Sequence, residues 1–147
     1  MSEEAPRAGI IGRLAAPAPD RAVPASPVDA LLVDPDGEFR AIVAGLLRRK
    51  GYTVVEVPNA AEGILALRHG CVPRLLVLGL DGASSTERDA LAALHEDEAC
   101  AASPLVVLSR SGHETIPGLR PAASLWKPVD GSELVEAVRR LCGTLGA

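Results

Sequence analysis

From Val28 onward, short apolar runs alternate with segments of helical periodicity. The apolar runs cover residues 30–33, 53–57, 75–80, 105–109 and 123–126. Three of the five are continuously apolar, as strands buried on both faces of a parallel sheet are. Strands that alternate with helices in this way are typical of βα units. The pattern therefore predicts an α/β protein, a three-layer αβα sandwich around a five-stranded parallel sheet.

The helical segments carry apolar stripes at spacings of three and four residues. The residues predicted to face the core are Phe39, Ile42, Val43, Leu46 and Leu47 in the first helix, Ile64, Leu65 and Leu67 in the second, and Leu134, Val138 and Leu141 in the last. Gly51 and Gly70 follow the first two helices, where a left-handed residue commonly ends a helix. Capping pairs predict the starts of three helices. These pairs are Asn59 with Glu62, Ser84 with Glu87, and Asp130 with Glu133.

The segment between the fourth and fifth strands opposes a regular helix. It covers residues 110–122 and contains Gly112, Pro117, Gly118 and Pro121. Both residue types are unfavourable inside a helix. We therefore expect a loop there, with at most a turn or two around His113 to Ile116, so that the fourth helix of the fold is short or missing.

Residues 1–27 are predicted to form a flexible tail, and residues 28–147 the folded domain. Prolines recur in the tail too closely for a helix, and the segment has little apolar surface to bury. The 147 residues of the chain leave no room for a second output domain. We therefore expect a domain that acts on its own.

Charge and cysteine content exclude several classes of function. The net charge of −4 provides no basic face for nucleic acid. The three cysteines are far apart and in no metal-ligand spacing, which argues against a disulfide framework and a zinc site. Three isolated histidines, His69, His95 and His113, are expected at the surface. No apolar run approaches the roughly 18 residues of a membrane span, so we expect a cytoplasmic protein without membrane insertion.

Four motifs resemble those of a response-regulator receiver domain. They are residues 31–36 (LLVDPD), 73–79 (PRLLVLG), 104–109 (PLVVLS) and 125–128 (LWKP), in the order of that family. The resemblance covers about residues 28–142. It implies a flavodoxin-like sheet with strand order 2-1-3-4-5, whose site lies at the carboxyl ends of the first and third strands.

The same resemblance implies a phosphorylation site, and this sequence departs from it. In receivers, a pair of acids and an acceptor carboxylate hold a divalent metal, while a hydroxyl and a lysine bind the phosphoryl oxygens. Asp34, Ser109 and Lys127 match the first acid, the hydroxyl and the lysine. However, Pro35 stands at the second acid and Gly79 at the acceptor. The sequence therefore predicts a site without a metal or other cofactor.

Two nearby carboxylates are candidates to replace the missing groups. Asp36 lies one residue beyond the second acid and is expected to point away from the site. Asp81 lies two residues beyond Gly79 and would need a rearranged loop to reach the site. In the absence of an acceptor, we expect Lys127 to pair with Asp34, and Ser109 to bond locally to the backbone.

The main functional hypothesis is a pseudo-receiver that catalyses no reaction. It would act in bacterial signalling as a phosphorylation-independent protein-protein interaction module. The partner would be another signalling or scaffold protein, with a homodimer as a further option. One alternative is an unorthodox receiver of a two-component phosphorelay, phosphorylated with Mg²⁺ on Asp81 or Asp36. Another is a pocket for a small acidic ligand or a nucleotide, anchored by Lys127 above a floor widened at Gly79.

Two surfaces are candidates for binding a partner. The favoured one combines the loop between the fourth and fifth strands with the fifth strand itself, and its residues are His113, Ile116, Ser124 and Trp126. Ser124 matches the aromatic switch residue of receivers, and Trp126 is an aromatic offset from it by two residues. The second surface pairs the first and last helices, whose exposed residues were predicted to include Arg48, Arg49, Arg139 and Arg140.

Overall fold

The computed structural model describes residues 25–110 and 116–142 of the chain. These ranges contain five strands and four helices. They are β1 (Ser26–Val33), α1 (Gly37–Arg49), β2 (Val54–Val57), α2 (Ala60–Arg68), β3 (Cys71–Gly79), α3 (Ser85–Glu96), β4 (Leu105–Ser109), β5 (Ala123–Trp126) and α4 (Gly131–Cys142). None of these helices has both the length and the apolar character needed to cross a membrane.

All neighbouring strands are parallel, and their order across the sheet is β2-β1-β3-β4-β5. The predicted order 2-1-3-4-5 is thus confirmed. Helices cover both faces of the sheet, because side chains alternate between two cores along each strand. On β1, Leu32 faces the core beneath α1 and α4, whereas Leu31 faces the core beneath α2 and α3. This double burial explains why the central strands are continuously apolar.

The first strand begins two residues before the boundary predicted for the tail. Ser26 and Pro27 pair with Cys71 and Val72 of β3, whereas β2 joins β1 only from Ala30. Pro27 therefore lies where β1 has a neighbour on one side only, a position in which a strand tolerates proline. The remainder of the predicted tail, residues 1–24, lies outside the described residues.

The predicted capping residues begin their helices. The side chains of Asn59 and Ser84 accept hydrogen bonds from the N–H groups of Glu62 and Glu87, at 2.9 and 3.0 Å. Asp130 accepts one from the N–H of Glu133 at 3.1 Å. These bonds satisfy N–H groups that have no partner within the helix.

Two residues predicted to face the core are exposed instead. Ile42 of α1 and Leu65 of α2 are 59% and 49% exposed. The inward positions of these helices include small residues, among them Ala44 of α1 and Gly63 of α2. Gly63 packs so closely against Leu94 of α3 that an added Cβ would lie 3.1 Å from the leucine side chain. The small residues let the helices approach their neighbours closely, and Ile42 and Leu65 lie on the outer sides of the helices.

The segment between β4 and β5 is described from Ile116 onward. Residues 116–122 form a turn at Gly118, with a φ of 87°, and contain no helix. Ile116 was predicted to belong to a binding surface, but it is buried, 5% exposed, in the core beneath α2 and α3. Because residues 116–122 form no helix, the Ile116 side chain itself covers this end of the core. His113 lies outside the described residues.

Candidate functional site

The residues matched to the receiver site meet at one edge of the sheet. Asp34 follows β1, Gly79 ends β3, Ser109 ends β4, and Lys127 follows β5. Because all strands are parallel, their carboxyl ends lie at the same edge. The fold thus brings together four residues from distant parts of the sequence. The first and the last of them, Asp34 and Lys127, are 93 positions apart.

Lys127 and Asp34 form a buried ion pair. The Nζ atom of Lys127 lies 2.9 Å from Oδ2 of Asp34, and the two side chains are 6% and 1% exposed. The other carboxylate oxygen of Asp34 accepts a hydrogen bond from the N–H of Asp36 at 2.9 Å. Both oxygens of Asp34 are therefore satisfied within the chain. The predicted pairing of these residues is confirmed.

Asp81 also lies in the site. Its Oδ2 atom is 3.0 Å from Nζ of Lys127, and its Oδ1 atom accepts a hydrogen bond from the N–H of Arg110 at 2.9 Å. The turn that follows β3 reverses at Gly82, which has a φ of 74°. This turn folds Asp81 back over the lysine. An Asp-Gly pair signals a turn, but sequence alone does not tell where the side chain points.

Two opposing effects act on the Asp81 carboxyl. Burial alone would raise its pKa, but the Arg110 N–H and the Lys127 ammonium outweigh burial. The net result is a pKa below the ordinary value of 3.8. Asp81 is therefore ionised at neutral pH, as its contact with Lys127 requires.

An aromatic ring completes the surroundings of the lysine. The Nζ atom of Lys127 lies 4.2 Å from the centre of the Phe39 ring. A cation over an aromatic face is attracted by the electron density of the ring, more strongly where water is excluded. The ammonium is thus held between two carboxylates and a ring. The ionised groups of this cluster, Asp34, Lys127 and Asp81, carry a net charge of −1.

Asp34 fills the space left by the missing side chain at position 79. A Cβ atom added to Gly79 would lie 1.8 Å from Oδ2 of Asp34. The floor of the pocket is therefore closed by a carboxylate. This contradicts the alternative of a floor widened at Gly79 to accept an acidic ligand, because a negative charge already occupies that space.

The two residues after Asp34 face away from this edge. Pro35 and Asp36 are exposed. The Oδ1 atom of Asp36 accepts hydrogen bonds from the N–H groups of Glu38 and Phe39, both at 3.1 Å, and so caps α1. Within residues 25–110 and 116–142, no group of three or more His, Cys, Asp or Glu side chains has the arrangement of a metal site.

The hydroxyl-bearing residue of the site lies deep in the sheet. Ser109 is 2% exposed, and its carbonyl oxygen accepts a hydrogen bond from the N–H of Lys127 at 3.0 Å. This backbone bond fixes the start of the turn that holds the lysine. Local bonding of the Ser109 hydroxyl stays a prediction.

The exposed part of the predicted binding surface lies on β5. Trp126 is 56% exposed, and Ser124 is exposed as well. Both side chains point away from the core that holds Ala123 and Leu125, because side chains alternate along a strand. β5 is also an edge strand of the sheet. The indole of Trp126 thus stands at the rim of the site, one residue before Lys127.

The fold resembles that of solved receiver domains. A chemotaxis response regulator of Vibrio cholerae matches with a TM-score of 0.63 and 20% identity over 79% of this chain and 99% of that one. The receiver domain of a sensor histidine kinase from Pseudomonas aeruginosa, with a magnesium ion coordinated in its active-site cleft, matches with a TM-score of 0.66 and 16% identity over 81% and 100%. At these identities the likeness establishes the fold. No protein-family model matches the sequence, and no curated protein does.

Proposed function

We propose that this chain is a protein-interaction module of bacterial signalling that uses the receiver fold without being phosphorylated and without catalysing a reaction. The single observation that carries the proposal is the ion cluster of Asp34, Lys127 and Asp81. In this cluster the lysine is occupied by two carboxylates of its own chain, at 2.9 and 3.0 Å.

Magnesium chemistry argues in the same direction. The P. aeruginosa receiver domain holds magnesium in its cleft, and Mg²⁺ requires several oxygen ligands in near-octahedral geometry. Here Pro35 has no side-chain oxygen and Gly79 no side chain, while Asp36 caps α1. The remaining carboxylates, Asp34 and Asp81, flank an ammonium group. The residues present therefore do not fit a magnesium ion, and no step of the proposed function uses one.

Electrostatics also disfavours an incoming phosphoryl group. The cluster already has a negative net charge, and its cation lies 2.9 Å from a carboxylate that is 1% exposed. To bind phosphate oxygens, Lys127 would have to leave Asp34 as an unpaired buried charge, which costs several kcal/mol. The cluster therefore suits a structural role.

The partner of this module is proposed to be another cytoplasmic signalling or scaffold protein that binds at β5. A half-exposed tryptophan beside a cation is the kind of residue that anchors protein interfaces. Trp126 and Ser124 stand on an edge strand at the rim of the site. The surface thus offers an exposed aromatic side chain to a partner.

An amide NMR titration tests the proposal. The full chain is titrated with Mg²⁺ and then with beryllofluoride, which imitates an aspartyl phosphate. A receiver domain that retains its acid pair and acceptor serves as the positive control. We expect no saturable shifts at Asp34, Gly79 or Lys127. Saturable shifts at these residues that spread to Ser109 and Trp126 would instead reveal a working switch.

One observation favours a second candidate function, phosphorylation of Asp81. Its carboxylate contacts Lys127 and its side chain is 22% exposed, so it remains open to solvent. In this alternative, an Asp81 oxygen attacks the phosphorus of acetyl phosphate and acetate leaves. Intact-mass spectrometry would then detect one added phosphoryl group. The gain would disappear in Asp81→Asn and persist in Asp36→Asn, whereas the main proposal predicts no gain in any of the three proteins.

A further inference from the structure

The helices α1 and α4 lie side by side on one face of the sheet and run in the same direction. Each begins near the carboxyl edge of the strands, α1 after Asp36 and α4 after Asp130. The end of α4 reaches the opposite edge, where the carbonyl of Cys142 accepts a hydrogen bond from Arg74. The two helices touch where Leu46 approaches Gly131, whose added Cβ would lie 3.5 Å from the leucine side chain.

A groove separates the outer surfaces of these helices. Its volume is about 460 Å³, and its walls include Leu46 of α1, Lys50 directly after α1, and Val135, Glu136 and Arg139 of α4. Ile42, 59% exposed, lies one helical turn before Leu46 on α1. Together with Leu46 and Val135 of the groove, it forms an apolar patch bordered by the charged residues Lys50, Glu136 and Arg139.

The charges on this face are distributed unevenly along α1. Glu38 is in the first turn and is exposed, while Arg49 and Lys50 are exposed at the opposite end. Helix dipoles favour such charges at helix ends in any protein. In this chain the exposed Ile42 lies between the acidic and the basic end of α1, so one surface carries both charges and an apolar side chain.

We propose that this α1–α4 face binds a second copy of the chain in an isologous dimer. A two-fold axis that lies in the plane of the interface, perpendicular to the direction of α1, would place the α1 helices of the two copies antiparallel. The acidic end of each α1 would then meet the basic end of the other. The same charges in a parallel arrangement would repel, so the charge distribution selects the antiparallel one.

The spacing along α1 matches this symmetry. Glu38 and Lys50 are equally far from Ala44 along the helix, and so are Ile42 and Leu46. An axis that passes at the level of Ala44 therefore pairs Glu38 with Lys50 of the second copy, and Ile42 with its Leu46. A single two-fold rotation therefore forms both the ionic and the apolar contacts. Ile42 of each copy would thereby enter the groove of the other copy, between Leu46 and Val135.

Sedimentation velocity of the full chain over a range of concentrations tests the dimer. We expect a monomer-dimer equilibrium that Ile42→Asp weakens by roughly tenfold or more, because a charge would enter an apolar contact. Leu65→Asp is the matched control, since Leu65 is a similarly exposed apolar residue on α2. It should leave the equilibrium unchanged. A wild-type chain that stays monomeric at every concentration would overturn the proposal, as would equal weakening by both variants.

Charge exchange tests the register. Glu38→Lys and Lys50→Glu should each weaken self-association, because each places like charges together at both ends of the interface. An equimolar mixture of the two single variants should restore association, and so should the double variant alone. Both cases re-establish opposite charges across the axis. If neither restores it, the proposed register is wrong. Circular dichroism of each variant establishes that it is folded, independently of association.

Discussion

The carboxylate of Asp34 and the missing side chain of Gly79 occupy the same space. Any side chain at position 79 would begin 1.8 Å from Oδ2 of Asp34. Asp34 in turn is held in place by Lys127 and by the N–H of Asp36, both at 2.9 Å. The two positions are therefore coupled, and an acceptor carboxylate cannot be introduced at 79 while Asp34 stays where it is.

Gly79→Ala should destabilise the protein even though it adds one methyl group. The added atom forces Asp34 away from partners that satisfy both of its oxygens, and overpacking of this kind costs about 1–3 kcal/mol. Urea unfolding measures the loss. Because Asp34→Ala removes the clash, the double variant should be less destabilised than the sum of the two single variants. Additive losses would contradict the coupling.

Lys127→Met should lower the free energy of unfolding by about 3–5 kcal/mol, since it leaves a buried carboxylate without its cation. Asp34 is 0% exposed, and within residues 25–110 and 116–142 its side chain forms an ion pair with Lys127 alone. Urea unfolding at neutral pH measures the loss. The control is Arg48→Met, which removes an ion pair with Glu56 at a more exposed position. It should cost about 1 kcal/mol or less, and an equal loss in both variants would argue against the buried cluster.

Parts of this site were predictable from sequence because they depend on strand order. Once the strand order of the sheet is assigned, Asp34 and Lys127 must lie at the same edge, and their pairing follows from charge. The bounds of β4 and β5 coincide with the predicted ones, because a short apolar run between turn residues leaves little freedom. The cap of α1 by Asp36 likewise agrees with its predicted direction away from the site.

Other parts depend on details that the sequence does not determine. Asp81 reaches Lys127 only because the chain reverses at Gly82. Ile42 and Leu65 lie on the outer sides of their helices, while other residues, among them Ala44 and Gly63, fill the inward positions. Ile116 is buried because it covers core beside residues 116–122, which form a turn and no helix. In each case, the packing of a neighbouring element decided the outcome and local periodicity did not.

Acid should remove the stabilising contribution of Asp81. Its pKa is lower in the folded protein than the ordinary 3.8, so the ionised carboxylate stabilises the fold above that value. This contribution is lost as the pH falls through the folded-state pKa. Urea unfolding of wild type and Asp81→Asn from neutral to strongly acidic pH should therefore show a difference that shrinks below about pH 4. A difference that is constant with pH would show that Asp81 is not stabilised as a carboxylate.

The three cysteines should resist thiol reagents while the protein is folded. Cys71, Cys100 and Cys142 are all buried. Burial, together with the nearby charges of Asp97 and Cys71, raises the pKa of Cys100 to about 12. Since only the thiolate reacts quickly, labelling at pH 8 should be slow in buffer and complete in denaturant. Rapid labelling of one thiol in buffer would mean that its surroundings open easily.

Trp126→Ala should weaken partner binding without unfolding the domain. The side chain is 56% exposed. Its removal therefore exposes less buried apolar surface, and lowers the free energy of unfolding less, than removal of a core side chain would. Since Trp126 is the sole tryptophan of the chain, its fluorescence reports directly on this surface. A signalling partner that covers the indole should shift its emission to shorter wavelength. That shift should follow binding measured independently by calorimetry.

The matched control for this experiment is Leu65→Ala, which shortens an apolar side chain of similar exposure on α2. It should bind the partner as wild type does, whereas Trp126→Ala should lose roughly tenfold or more in affinity if the indole anchors the contact. Equal affinity in all three proteins would exclude Trp126 as the anchor. Addition of Mg²⁺ should leave both the affinity and the emission unchanged, because the cation of this site is Lys127 and it is already paired. A partner that binds only with Mg²⁺ and a phosphodonor would instead favour the phosphorylation of Asp81.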